Sequence, residues 1–316
     1  MIRCFWWSHP ARKTGCGVIA HVAVASFVDP GTEQHNGGRS FAGAWVTGSR
    51  PDGHKRVTTA RARAARVVLM TSIPALYAHR LGRDVGPDSS RAALRATLAG
   101  SVDGVETDVC LTADGRLALL HDPRIESCTT ARGWARQTPW SELRTARLLD
   151  RGGAPTGETP MLLEELLDAV PRELVVQIEV KAYANPLLAR ATAAAVARAV
   201  TRRADRRVEV LSFHVAACEQ AASEGLAARL VTWADYAPDA LGRWARRSAV
   251  GGVCIEHFLL HPELVACLRA HGLSVCTGTI NDPSLAARAA SLGVDAITSD
   301  CPSDLRSRMA ARAVAA

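Results

Sequence analysis

The stretch GVETDVCLTADGRLALLHD, residues 104–122, sets the architecture. Two β-rich runs flank Thr112-Ala113-Asp114-Gly115, a spacer too short for a helix that ends in an Asp-Gly pair favouring a tight hairpin. A strand over 104–109 followed by an antiparallel return strand over 117–122 is the expected result. With Thr112 opposite Gly115, the same register sets Glu106 opposite His121, and cross-strand partners lie ~5 Å apart. A one-residue slip, which a bulge at Gly115 would produce, breaks that direct pairing. Glu106 and Asp108 sit two apart on one strand, so they project to one face. Two carboxylates so placed suit a hard divalent cation, Mg²⁺ or Ca²⁺.

Outward from the hairpin, short β-rich runs alternate with alanine-rich stretches of helical period. The other strands are read at 74–80, 174–181, 208–213, 228–233, 252–256, 273–280 and 295–300. Apolar spacing of 3.6 marks helices at 185–200, 261–270 and 283–292 between them. With the return strand set aside, eight strand–helix units fill residues 70–316. An α/β fold of the (β/α)₈ TIM-barrel type is expected, because such barrels take ~250 residues. The hairpin strand after the second barrel strand is an addition to it. An open doubly wound sheet is disfavoured, since no Gly-rich phosphate loop follows the first strand.

Two further strand ends carry charge. The run LVVQIEVK, residues 174–181, places Glu179 and Lys181 on one face at its carboxyl end, the catalytic end of a barrel. The chain has three lysines, at 13, 55 and 181, so Lys181 is alone among the arginines of residues 70–316. A compact point charge is what lysine offers and arginine does not. His79-Arg80 closes the first strand in the same way. Two imidazoles, three carboxylates and two cations at neighbouring strand ends form an acid/base pair, a metal cage and phosphate anchors. Metal-assisted phosphoryl transfer is the reaction class this set implies.

The same residues fall into motifs: Ala78-His79-Arg80, Val105-Glu106-Thr107-Asp108-Val109, Leu111-Thr112-Ala113-Asp114-Gly115, His121-Asp122-Pro123 and Ile178-Glu179-Val180-Lys181. Residues 160–165, Ser212-Phe213, Asn281, Gly293-Val294-Asp295 and Ser299-Asp300 continue the order. From about Tyr77 to Pro302 the chain resembles the glycerophosphodiester phosphodiesterases, a family of phospholipase C-like phosphodiesterase barrels. The resemblance implies His79 and His121 as general acid and base, and Glu106, Asp108 and Glu179 as ligands of a divalent metal. It implies Arg80 and Lys181 as phosphate anchors, with Asp88, Ser212 and Asn281 in support. In the reaction it implies, the glycerol 2-hydroxyl attacks phosphorus, and water then opens the cyclic diester to glycerol 3-phosphate and an alcohol. Three positions depart from the family pattern. Leu81 stands for a glycine, Asp88-Ser89-Ser90 for Glu-Asn-Thr, and Gly278-Thr279 for Trp-Thr. Asp88 is expected to cap the first helix.

Composition narrows the partners. The net charge of +7 lies wholly in residues 1–69, which hold 10 basic and 3 acidic side chains; residues 70–316 hold 28 of each. Nucleic acid is therefore not an expected partner. Residues 1–69 lack any sustained period and read as a basic, unstructured extension. No apolar run reaches the ~20 residues of a spanning helix, so stable membrane insertion is not expected. Nine cysteines without a Cys-x-x-Cys pair read as buried or free thiols of a reducing compartment, not as a disulfide frame or zinc site. Cytoplasmic residence follows, with export the alternative if residues 1–30 act as a signal. His257 and His261 read as a surface loop, and Trp134, Trp140, Trp233 and Trp244 as core or rim packing. The expected partner is a small glycerophosphodiester. A lipid phosphodiesterase would need an exposed apolar loop at the mouth, with 258–260 the candidate. A barrel that only binds phosphodiesters would have no use for two proton carriers.

Overall fold

The computed structural model describes residues 73–315, apart from Tyr183, Ala204 and residues 233–236. The expectations for residues 1–69, the signal reading of residues 1–30 and the placing of Trp233 lie outside the described residues. Eight parallel strands close into a barrel: β1 (Ala75–Ala78), β2 (Gly104–Leu111), β4 (Val175–Val180), β5 (Arg207–Ser212), β6 (Ala227–Thr232), β7 (Gly252–Glu256), β8 (Ser274–Gly278) and β9 (Ala296–Ser299). Pairing of β1 with both β2 and β9 completes the circle. The TIM-barrel expectation holds. The ninth strand, β3 (Leu117–Leu119), pairs antiparallel with the top of β2, as the Asp-Gly turn implies.

Helices α1 (Arg91–Leu98), α2 (Trp140–Leu143), α3 (Leu163–Ala169), α4 (Pro186–Thr201), α5 (Val215–Ser223), α6 (Pro238–Arg247), α7 (Pro262–Ala270), α8 (Pro283–Ser291) and α9 (Pro302–Ala315) complete the order. Proline opens α4, α6, α7 and α8 at a position where its missing N–H costs nothing. Asn185 and Asp282 cap two of these helices through side-chain oxygens. Apolar strand residues such as Val105, Ile178, Val210, Val253 and Ile297 bury outward beneath the helices, giving one continuous core. The connection after β3 buries Leu120, Ile125, Ala135 and Leu143 in a small core of its own.

Polar side chains fill the barrel's lower interior. Arg229 bridges to Glu209 at 2.7 Å, and Gln177 donates to the same carboxylate at 2.8 Å. Gly104 is required beside them, because a Cβ there would stand 2.5 Å from the Val175 carbonyl and 2.8 Å from the Tyr77 ring.

The hairpin register differs from expectation. Val109 pairs Leu119 and Leu111 pairs Leu117, so Thr112 faces Arg116 instead of Gly115. Gly115 takes the left-handed conformation (φ 74°) and adds a third residue to the loop. Glu106 therefore does not face His121, and the return strand ends at Leu119, three residues short of Asp122. The first strand also stops early, at Ala78. Arg80 and Leu81 have φ of 48° and 65° and turn the chain inward through residues 79–81.

Candidate active site

Parallel register brings the acids together. Asp108 on β2 lies beside Glu179 on β4, and Glu106 lies beside Gln177. Glu106 and Asp108 are buried, and one carboxylate oxygen from each of Glu106, Asp108 and Glu179 lies within 4.8 Å of the other two. Lys181 places Nζ 3.0 Å from Asp108 Oδ1 and 2.6 Å from Glu179 Oε1. Arg80 donates its backbone N–H to Glu106 Oε2 at 2.9 Å, and its Nε lies 3.4 Å from Asp108 Oδ2.

The electrostatics within the trio are uneven. Burial, then the charges of Asp108 and Glu179, push the Glu106 carboxyl well above its ordinary range. Burial acts the same way on Asp108, but Lys181, His121 and Arg80 outweigh it and hold that carboxyl below its ordinary value. Burial would lower Lys181, yet Asp108 and Glu179 keep its ammonium charged. Asp108 Oδ2 and Glu179 Oε1 are buried without a well-formed hydrogen bond, although cations stand nearby. Three clustered carboxylates, two with unsatisfied oxygens, form an oxygen donor set that fits a hard divalent cation.

Each histidine leans on an aspartate. His79 Nδ1 lies 2.7 Å from Asp300 Oδ1. Burial would raise the Asp300 carboxyl, but hydrogen bonds from His79 and Asn281 hold it at about 2. Asn281 donates to Asp300 Oδ2 at 2.9 Å and accepts from the Asp300 backbone N–H at 2.8 Å. His121 Nδ1 lies 3.0 Å from Asp122 Oδ1, and Ser127 donates to Asp122 Oδ2 at 2.8 Å. The His121 contact is the main cause lowering Asp122 to about 2. His121 thus reaches the site from the loop after β3, near enough for its charge to act on Asp108.

The supporting residues divide. Asp88 does not cap α1; Ser90 does, accepting from the Ala93 N–H at 3.1 Å. Asp88 instead pairs with Arg80 at 2.6 Å and Arg83 at 2.7 Å, steadying the guanidinium beside the trio. Ser212 is buried and donates to the Val180 carbonyl at 2.9 Å, tying β5 to β4. Asn281 acts on His79 through Asp300. His257 and His261 join no group of three metal-ligating side chains among the described residues, and His261 caps α7. Trp244 is buried in the core, and the guanidinium groups of Arg124 and Arg136 lie 5.4 and 5.9 Å from the centre of the Trp134 ring.

Three acids escaped the sequence reading of the site. Asp122 and Asp300 were visible only as motif letters, because an orienting role shows once the imidazole partner is in place. Glu256 ends β7, and burial with the charge of Glu179 raises its carboxyl. Only barrel closure brings those two strands' ends into one field.

A sequence profile of the glycerophosphoryl diester phosphodiesterase family matches residues 79–304. The chain belongs to this family. It is an enzyme of that class, and the matched span runs from His79 past Asp300, enclosing every residue of the site. Among individual proteins, the putative glycerophosphodiester phosphodiesterase YhdW of Bacillus subtilis is 23% identical, over 72% of this chain and 94% of its own. A glycerophosphodiester phosphodiesterase of Bacillus altitudinis is 32% identical over 34% of this chain. The chain spans 44% of the length of that relative and of a second one, YqiK of Bacillus subtilis. An Oleispira antarctica phosphodiesterase, solved in complex with the product sn-glycerol-3-phosphate, superposes with a TM-score of 0.68 at 25% identity, covering 75% of this chain and 97% of its own.

In this family member the glycine replaced by Leu81 stands where φ is positive, a conformation that a leucine side chain adopts only under strain. Leu81 is fully buried, so its packing holds it there. At Gly278 a Cβ would stand 2.8 Å from the Thr298 Cβ, so the tryptophan of the family pattern has no room without a shift of β9.

Proposed function

We propose that this barrel hydrolyses glycerophosphodiesters to glycerol 3-phosphate and an alcohol, in the cytoplasm, with His79 and His121 as the proton-transfer pair. What supports this reading is that both imidazoles are held by an aspartate, that His79 adjoins Arg80, whose backbone N–H binds Glu106, and that His121 acts electrostatically on Asp108 of the carboxylate trio. A carboxylate accepts, so each Nδ1–H donates and each Nε2 is left to exchange protons with substrate. One imidazole takes the proton of the attacking glycerol 2-hydroxyl, and the other protonates the departing alkoxide. Their roles reverse when water opens the cyclic diester. Arg80 and Lys181 hold the phosphate oxygens, with Asp88 fixing Arg80. Glu106, Asp108 and Glu179 would hold the divalent metal, Mg²⁺ or Ca²⁺, which when bound offsets charge growing on the phosphoryl oxygens. Release of glycerol 3-phosphate from glycerophosphocholine in the presence of either ion tests the reading. Loss of that release in His79→Ala is expected; undiminished turnover in that variant would remove the assigned roles.

A second reading has one observation in its favour. Phe258 is 62% exposed just beyond β7, and Phe213 is exposed just beyond β5, both at the barrel's catalytic end. A lipid phosphodiester would find apolar surface there. Turnover of lysophosphatidylcholine with no turnover of glycerophosphocholine would favour this substrate.

A further inference from the structure

Cys267 and His271 lie four residues apart, on the last turn of α7 and at its C-cap. Helical spacing of that kind sets two side chains on one face. Asp239 comes to them from the first turn of α6. Its Oδ1 lies 2.9 Å from His271 Nε2 and 3.6 Å from Cys267 Sγ. One ligand atom of each residue lies within 4.8 Å of the others.

We propose that Asp239, Cys267 and His271 form a second metal site, on the outer helical layer, for a borderline transition-metal ion such as Zn²⁺. Bond lengths of ~2.0 Å to nitrogen or oxygen and ~2.3 Å to sulfur place tetrahedral ligands ~3.3 to ~3.5 Å apart. The observed 2.9 and 3.6 Å fall on either side of those separations. The mixed N, S and O donors differ from the all-oxygen trio of the active site, so the two sites select different ions. A thiolate and a carboxylate balance the dication, and water completes the tetrahedron.

The pocket for the imidazole is already shaped. Gly242 on α6 lies under the ring, where a Cβ would stand 2.2 Å from His271 Cγ. Arg246 Nη2 lies 2.7 Å from His271 Nδ1, so in the metal-free state Nδ1 accepts and Nε2–H donates to Asp239. Loading moves the ring proton to Nδ1, releases the exposed Arg246 to solvent and frees the Cys267 proton. The ion then clasps α6 to α7 at a point the phosphodiester reaction does not use.

Co²⁺ substitution of the full chain tests the site independently of activity. A thiolate-to-cobalt charge-transfer band in the near ultraviolet is expected, since no sulfur ligand is present at the active-site trio. The band disappears in Cys267→Ser and His271→Ala and persists in Asp108→Asn. Zn²⁺ raises the melting temperature of Asp108→Asn but not of the double variant Asp108→Asn/Cys267→Ser, whereas glycerol 3-phosphate release is unchanged in Cys267→Ser. Absence of the band overturns the proposal, and so does a band surviving in Cys267→Ser, which would assign the cobalt to another thiol. If His271→Ala fails to fold, Cys267→Ser decides alone.

Discussion

Asp300 holds His79 across 221 residues of sequence, Nδ1 to Oδ1 at 2.7 Å. The contact fixes the tautomer that leaves Nε2 free, and in the proposed reaction it would favour the imidazolium. Replacing Asp300 with Asn keeps the shape and removes the charge. Turnover of Asp300→Asn is expected to fall roughly 10²- to 10⁴-fold, by analogy with the loss of an aspartate from a catalytic triad. KM should change little, because Asp300 contacts His79, Asn281 and Arg151 but not Arg80 or Lys181, the proposed phosphate anchors. A loss confined to KM in steady-state kinetics would show that Asp300 positions substrate instead.

The same carboxylate gives acid stability a predictable course. Its pKa is about 2 in the folded chain, against an ordinary 3.8. A depressed acid contributes stability that is present above the ordinary value and is lost as pH falls through the folded one. The shift is worth about 2 kcal/mol. Urea midpoints measured from pH 5 down to pH 2 should therefore fall more steeply for wild type than for Asp300→Asn. Parallel curves would mean that the ion pair adds nothing to folding.

If the trio holds the proposed cation, Glu106 makes its affinity depend on pH. Burial and the two neighbouring carboxylates raise its pKa, so the metal-free trio keeps a proton there above the usual carboxylate range. A cation must displace that proton. Affinity for Mg²⁺ or Ca²⁺ should rise with pH until Glu106 is ionised and level off beyond. Calorimetric titration in buffers of differing ionisation enthalpy should register proton release, and chelation should abolish turnover. Binding without proton release at the lower pH would contradict the assignment.

The barrel was legible because its signals are local and repeated. Alternating strand and helix patterns located all nine strands, with no end off by more than three residues and β7 matched at both ends. The largest errors came where backbone conformation overrides side-chain pattern, at Arg80-Leu81 and at Gly115. There a positive φ, which no periodicity reports, shortened one strand and slipped the register of the other. The trio needed only same-face alternation and parallel register, both of which sequence spacing conveys. Asp300 and Glu256 depend on barrel closure, which makes distant strand ends neighbours, and that proximity leaves no trace in local sequence. Asp88 misled for a different reason: a helix-capping residue and an arginine partner look alike until Ser90 is seen in the capping position.

Lys181 is the most sharply specified cation. It contacts Asp108 at 3.0 Å and Glu179 at 2.6 Å within a space bounded by both carboxylates. Its buried ammonium offsets their repulsion and, in the proposed reaction, would direct positive charge toward the phosphate. Removal in Lys181→Ala should lower kcat/KM by roughly 10²- to 10³-fold, as for loss of a preorganised electrostatic group. Lys181→Arg should not restore it. The planar guanidinium is wider than the ammonium, and its fork would displace one of the two carboxylates from the position that a cation requires. Such a variant is expected to keep its charge, lose turnover and need more Mg²⁺ or Ca²⁺ for half-maximal rate. An arginine variant with wild-type kinetics and metal requirement would show that only the charge at position 181 matters, not its compactness.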